Sequence, residues 1–568
     1  HRSVKTKKVK ITGRAVRTAP FTEPNKRYGT SFGWPIFRID LTEMRKLFTY
    51  SIIIWSLAGC QSNLKPTKVD TAEPKATQLT GSELAQIHCA SCHSYVSPEM
   101  LPKNIWKEDV LPAMAQRLGL YKHGVLNDSI FGNAENAKAV KQAHIYPEHP
   151  IIAQEDWRKL EEFYTQNAPE KLTSPVYNES IDLNLKQFEY REVEFGHRPP
   201  MTTMVKIRPN QEGILFADGK PKSNVLSFLD AQQQLQKNIL TFNTPIQWEQ
   251  KGDSSQLLSV GKNIFPNDLP KGSLQGLSNI GDDSAQVRLT PILKGLQRPI
   301  HMAYGDLTVN GQEDVVICEY GDHTGQLVLY ENRENQWQPK VIKKASGAIK
   351  SVIKDVNKDG KLDIICLMAQ GDEGIYYFEN QGNGNFQEKR WLRFSPLNGS
   401  QNFEYIDFNG DGFDDLLYVC GDNADKTPIL KDYHGVYIYL NDGEMNFDKA
   451  YFFRMNGAYN ALPIDFDKDG DLDIAAISFF PDYANRPEES FVYLENKGNL
   501  KFSAQSFPKA SNGRWLVMDA GDIDGDGDVD LALGSFVYFL AKGDTTGLSK
   551  RWLSESPSVA ILENMYIP

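Results

Sequence analysis

The stretch Ile87-His-Cys-Ala-Ser-Cys-His-Ser94 carries two thiols three positions apart, Cys89 and Cys92, followed at once by the imidazole of His93. The 568-residue chain holds only six cysteines, so a close pair asks for a chemical reason. Three chemistries use this spacing: a redox disulfide, half of a zinc site, and covalent haem attachment. A redox pair wants a βαβ setting, which the flanking sequence lacks. A zinc site wants two more Cys or His at similar spacing, and the next cysteine is Cys318. The histidine directly after the second cysteine suits the third chemistry. Thiols a helical turn apart reach two vinyl groups on one porphyrin edge, and the next side chain lies under the iron. The spacing predicts one haem c, with thioethers at Cys89 and Cys92 and His93 as proximal ligand.

The elements around the motif must position it. Gly81–Ile87 reads as a short capped helix leading into the first cysteine. Residues 105–120 form an amphipathic segment that carries Met114, with Trp106, Val110, Leu111 and Leu118 able to pack on a porphyrin face. Met114 is the expected sixth ligand, because a thioether raises the reduction potential and suits electron transfer. His144 and His149 are the alternatives, and His123 lies in the same region. Met100 is too close to His93 to fold back over the other face. Trp157, Leu160, Phe163 and Tyr164 recur at helical spacing over 153–167, and Ala168-Pro169 ends that helix. The whole resembles a small class I c-type cytochrome, which implies an all-α domain over 80–175 that carries single electrons.

Haem of this kind is attached outside the cytoplasm, so the N-terminus has to carry an export signal. Residues 1–43 hold ten Lys/Arg against three Asp/Glu, no methionine and no sustained apolar period, and are expected to be a lead outside the native fold. From Met44 the chain reads MRKLFTYSIIIWSLAGCQS: two basic residues, an apolar run too short to span a bilayer, then Leu57-Ala58-Gly59-Cys60. The ending resembles a bacterial lipobox. That resemblance implies a signal peptide over 44–59, cleavage before Cys60, lipidation of its sulfur, and an exported protein anchored to the outer membrane. Residues 60–79 are polar and rich in Pro, Thr and Lys, as a flexible tether would be. With the basic lead and signal removed, the formal charge of −11 becomes about −20, which excludes nucleic acid as a partner.

Beyond a linker at 176–200 the texture changes to short β-rich runs. Four nine-residue segments repeat: Asp355-VNKDGKL-Asp363, Asp407-FNGDGFD-Asp415, Asp465-FDKDGDL-Asp473 and Asp522-IDGDGDV-Asp530. Their starts lie 52, 58 and 57 residues apart, about one four-stranded propeller blade each. A second mark recurs in phase: LVLYEN, IYYFEN, VYIYLN, FVYLEN and VAILEN, strands that end in Asn at a turn.

Oxygen-bearing side chains at loop positions 1, 3 and 5 can converge on one hard cation, with glycine at 6 for the sharp turn and the last Asp closing the cage. The expected ligands are Asp355, Asn357, Asp359 and Asp363; Asp407, Asn409, Asp411 and Asp415; Asp465, Asp467, Asp469 and Asp473; and Asp522, Asp524, Asp526 and Asp530. No Glu stands at position 12 and strands follow each loop, so these are not EF-hands. A fifth copy, Asp306-LTVNGQE-Asp314, has fewer acids and is expected to keep the turn with little or no metal affinity. Cys318, Cys366 and Cys420 fall in the following strands and are expected to be buried thiols.

These repeats resemble FG-GAP or VCBS repeats, the blades of integrin-α-type propellers. The resemblance implies an all-β propeller over 201–568, of about seven blades with six also open, and about four calcium ions at the blade periphery. The expected fold is therefore multidomain, a small all-α cytochrome followed by a propeller. The expected function is membrane-anchored electron transfer to an unknown redox partner protein, with the propeller as a docking platform for a protein or polysaccharide. A haem-coupled dehydrogenase with its active site in the propeller, and a surface adhesion module, are the alternatives. For the dehydrogenase, His197, His301, His323, His434 and Arg454 would have to converge.

Overall fold

The computed structural model describes residues 73–566, except 174–176, 178, 253, 281–285, 335, 424–428, 538–545 and the side chain of 123. Cys60, the signal segment and most of the tether lie outside the described residues. Among the described residues, no helix is long and apolar enough to cross a membrane.

Seven four-stranded sheets follow one another, each with its first strand innermost and its second, third and fourth paired outward in antiparallel order. Blades 1 to 6 start at Thr202, Pro245, Pro299, Ala348, Ser400 and Ala458. Blade 7 combines Trp515–Gly521, Asp530–Ser535 and Val559–Asn564 with an outermost strand from the other end of the repeat region, Phe188–Glu192. Phe188 pairs with Asn564 and Glu192 with Ala560, so the two ends are joined by a backbone ladder. Segment 176–200 therefore does more than link: it supplies the closing strand. Its pattern, Phe-Glu-Tyr-Arg-Glu, is too short and too polar to announce a strand by itself.

The second strands of blades 3 to 7 are buried at every position. Each sheet is covered on both faces by its neighbours, which is why segments such as LDIICL are continuously apolar instead of alternating. Seven apolar clusters fill the seven gaps between successive blades, including blade 7 against blade 1. The ring is closed with seven blades, which settles the count in favour of seven over six.

The region before residue 174 is helical. Gly81–His88 starts with a reciprocal cap in which Thr80 Oγ1 accepts from the Glu83 N–H at 3.3 Å and Glu83 Oε2 accepts from the Thr80 N–H at 2.8 Å. Gln154–Asn167 packs on it through Trp157, Leu160 and Tyr164. Between them Lys103–Ile105, Trp106–Val110 and Leu111–Arg117 form one continuous helix whose middle is a π turn. Pro112 is the physical cause. Its ring has no N–H and would clash with the carbonyl four residues back, and the wider turn just before it relieves both.

Candidate functional site

The Cys89, Cys92 and His93 motif sits at the C-terminal end of the Gly81–His88 helix. Cys89 is its cap residue and lies at the edge of an apolar cluster of Leu84, Trp106, Leu111, Leu160 and Tyr164, and burial pushes its thiol up. Cys92 is exposed. His93 Nδ1 lies 2.8 Å from the carbonyl oxygen of Ser94, which leaves Nε2 as the nitrogen able to take a metal. The chain leaving the motif is fixed at two points: Tyr164 OH donates to the Val96 carbonyl and Trp106 Nε1 to that of Pro98, both at 2.8 Å. Met114 packs against the same cluster as Cys89, and so does Met100. His144 and His149 are exposed and belong to no part of it. A thiol pair at a helix end, an imidazole held by one nitrogen and two thioethers around one apolar cluster are a donor set that fits haem.

Antiparallel order sends the loop between first and second strands, and that between third and fourth, to one end of the ring. The other loops emerge at the opposite end. The four acidic nonapeptides all join first to second strands, so they share one end. This corrects the expected place of the metal loops: they lie between the two innermost strands at one end, not at the periphery.

The helical region contacts the other end. Ser94 Oγ donates to the Phe394 carbonyl at 3.0 Å, and Leu397 and Ile429 pack on the cluster around the motif. Asn136 and Asp268 exchange hydrogen bonds, Asp268 N–H to Asn136 Oδ1 at 2.6 Å and Asn136 Nδ2 to Asp268 Oδ2 at 3.4 Å. The His323 ring stands edge-on to Phe131 at 5.2 Å, with Tyr146 at 6.1 Å.

Asp268, Asp322 and His323 could hold a metal by proximity alone. Asp268 is already committed: Oδ1 accepts the Thr324 N–H and hydroxyl, and Oδ2 lies 3.0 Å from His323 Nδ1. Burial works against charge on His323, but the Asp268 and Asp322 carboxylates raise it to about 9. The trio is an ion pair that clamps the helical region. A histidine raised by folding contributes fully below its ordinary 6.5, and the contribution is lost as pH rises through about 9. Asp268→Asn, and wild-type protein at pH 10, are therefore expected to exchange the amide hydrogens of Ala134–Gln142 at least tenfold faster than wild type at pH 6, after correction for intrinsic rates.

Each acidic loop folds on itself. Asp355 accepts the N–H groups of Asp359 and Gly360 at 3.1 and 2.9 Å, and Asp465 those of Asp469 and Gly470, both at 3.1 Å. Asp407 and Asp522 accept from Gly412 and Gly527. The fifth loop makes the same bonds from Asp306 to Asn310 and Gly311. The glycine at position 6 has φ between +81° and +97° in all five, a region only glycine enters without strain.

The ninth residue does something the spacing did not announce. Asp314, Asp363, Asp415, Asp473 and Asp530 are buried, and each accepts the N–H of an Asn at or within two residues of the end of the third strand, at 2.7–2.8 Å. The other oxygen accepts the N–H of loop position 2 at 2.8–3.2 Å. The two recurring marks of the sequence are thus two ends of one hydrogen bond. In blades 6 and 7 an oxygen of this Asp also lies within 4.8 Å of the carboxylates at positions 1 and 3, Asp465 with Asp467 and Asp522 with Asp524. Blade 1 has no such loop; there buried Arg208 donates to the Leu229 carbonyl at 3.0 Å and ties loop to third strand instead.

Burial pushes Asp473 and Asp530 up to about 6, and burial with Asp526 alongside pushes Asp528 to about 7.

The five residues required for a catalytic centre in the propeller do not converge. His197 Nε2 lies 3.0 Å from Ser227 Oγ in blade 1, His301 reaches Ser351 in blade 4, and His323 clamps the helices. His434 is fully buried in blade 5, and Arg454 stacks on Tyr177 at 4.8 Å.

A family model described as FG-GAP-like repeat matches residues 355–418, which contain two of the acidic loops. The chain is thus a seven-bladed propeller carrying an FG-GAP-like repeat. No curated protein matches it. Among solved structures it is similar in outline to the N-terminal domain of Nup159, at 10% identity over 69% of this chain and 99% of that one with a TM-score of 0.40. A second is S. cerevisiae Dbp5 bound to Nup159, Gle1, IP6 and ADP, at 9% identity over 68% and 98% with a TM-score of 0.36. Likenesses at this level carry no functional argument.

Proposed function

We propose that this chain is an exported electron-transfer protein, lipidated at Cys60 and held at the outer membrane. Cys89, Cys92 and His93 would hold one haem c, and Met114 would offer a thioether as its further ligand. The bound group supplies one-electron oxidation and reduction. The chain's own residues orient it, through the Ser94 carbonyl on His93, and shield it with the Trp106 and Tyr164 side of the cluster. The observation that carries this reading is the packing of Cys89 and Met114 on one apolar cluster, with the neighbouring His93 ring held by Nδ1.

The propeller serves as platform for the redox partner or for a protein or polysaccharide ligand. A groove of about 430 Å³ at the acidic-loop end, lined by Lys206, Arg208, Gln211, Trp248, Glu249 and Asp522, offers such a ligand a seat. Calcium in the four acidic loops stiffens that end, far from the helical region. In a host that matures c-type cytochromes, the purified chain is expected to give a reversible reduced-minus-oxidised haem spectrum and one-electron titration. A chain whose intact mass contains no porphyrin overturns the reading.

Calcium and pH act together. A carboxyl raised by folding lowers stability when ionised, and the penalty disappears as pH falls toward its unfolded value near 3.8. Calcium favours the ionised form. The rise in melting temperature on adding about 1 mM calcium to chelator-treated protein is expected to be several degrees at pH 7.5 and to vanish near pH 5. Scanning calorimetry at both pH values measures it.

A further inference from the structure

Between blades 3 and 4 lies a sulfur cluster that neither the haem motif nor the acidic loops use. Side chains alternate along a strand, so Val316 and Cys318 on the second strand of blade 3 face blade 4. Ile364, Cys366 and Met368 on the second strand of blade 4 face blade 3. All five belong to the single apolar cluster that fills this gap. Cys318 and Cys366 are fully buried and Met368 is 2% exposed. Cys318 and Cys366 stand on facing strands of this gap, and Cys366 Sγ lies 4.0 Å from Met368 Sδ and 3.6 Å from the Leu367 carbonyl oxygen. His301 stands opposite Cys318 in the strand register, and Ser351 opposite Cys366.

We propose that Cys318, Cys366 and Met368 form a binding site for a monovalent, thiophilic metal ion, Cu(I). Two thiolates and a thioether are the soft donors this ion prefers, and three sulfur donors in one buried cluster match the low coordination number it accepts. Zinc prefers four nitrogen or sulfur donors in a tetrahedron. The nearest fourth group, His301, has Nδ1 turned to the Ser351 N–H and hydroxyl at 3.4 and 3.5 Å. His301 and Ser351 are positioning residues that fix the Cys318 side of the site. The two thiols lose their protons to solvent when the ion enters, and the ion enters as the blades assemble, because the folded site is closed.

The test uses the full chain, refolded without oxygen in the presence of Cu(I) or Zn(II), then exchanged against a chromophoric Cu(I) chelator. The expected result is one Cu(I) per chain more than in Cys318→Ala, with sulfur-only coordination by X-ray absorption. Met368→Leu keeps the apolar packing and is expected to weaken retention at least tenfold. Comparison with Cys318→Ala removes any copper held at Cys89 and Cys92. Equal copper in parent and Cys318→Ala overturns the proposal. So does preferential retention of zinc, or a disulfide between Cys318 and Cys366 found by peptide mapping of the protein refolded without oxygen.

Discussion

Cys89→Ser/Cys92→Ser, expressed beside the wild type in a host that attaches haem c, is expected to accumulate as a folded chain with no covalent porphyrin. A haem stain of denatured protein reads the loss as complete. Folding survives because Cys92 is exposed and Cys89 only borders its cluster, where a hydroxyl for a thiol costs about 1 kcal/mol. His93→Ala is expected to keep the thioethers and lose the low-spin spectrum. Met114→Leu, close in volume, separates the two thioethers on the cluster. With Met114 as the sixth ligand the variant becomes high-spin and its potential falls; an unchanged spectrum rules Met114 out. A wild-type chain with both thiols alkylatable would remove the electron-transfer reading altogether and leave the propeller.

The Cys89, Cys92 and His93 motif stands out in the sequence because two thiols and an imidazole within five positions can be seen without a fold. The propeller was readable because five of its blades repeat the same loop and strand. What stayed hidden depends on residues far apart in sequence. Phe188–Glu192 is a strand only because Ala560–Asn564 offers it an edge about 370 residues later. The clamp of Asn136, Asp268 and His323 joins three segments that carry no common pattern, and each residue alone reads as a turn or surface group. The Asn at the end of each third strand was seen as a turn former, whereas its N–H is the donor that the buried ninth Asp requires. Its recurrence in phase with the loops, blade after blade, was the available signal. Seven blades rather than six also needed closure, since blades 1 and 2 lack the loop and are recognised by their neighbours.

That ninth Asp should matter more to stability than any of the exposed acidic positions of the loop. Asp473 accepts three hydrogen bonds in a buried setting, from Asn496 N–H at 2.8 Å, Phe466 N–H at 3.2 Å and Tyr493 OH at 2.7 Å. Asp473→Ala strands those donors, at about 1–3 kcal/mol for each that cannot find water, so a loss of about 3–5 kcal/mol is expected. Asp314 accepts four, from Leu307 and Thr308 N–H, the Thr308 hydroxyl and Asn332 N–H, in the loop with too few acids to hold calcium well. Asp314→Ala is therefore expected to cost at least as much as Asp473→Ala, and both losses to persist in chelator. Asp359→Ala, at an exposed loop position, should cost under about 1 kcal/mol in chelator and lose the stabilisation that calcium adds at that loop. Denaturant unfolding of the three variants with and without calcium measures all of this. If Asp314→Ala proves harmless while Asp473→Ala is severe only with calcium present, the ninth carboxylate acts through the ion, and the bridge from loop to third strand is not what holds the blade.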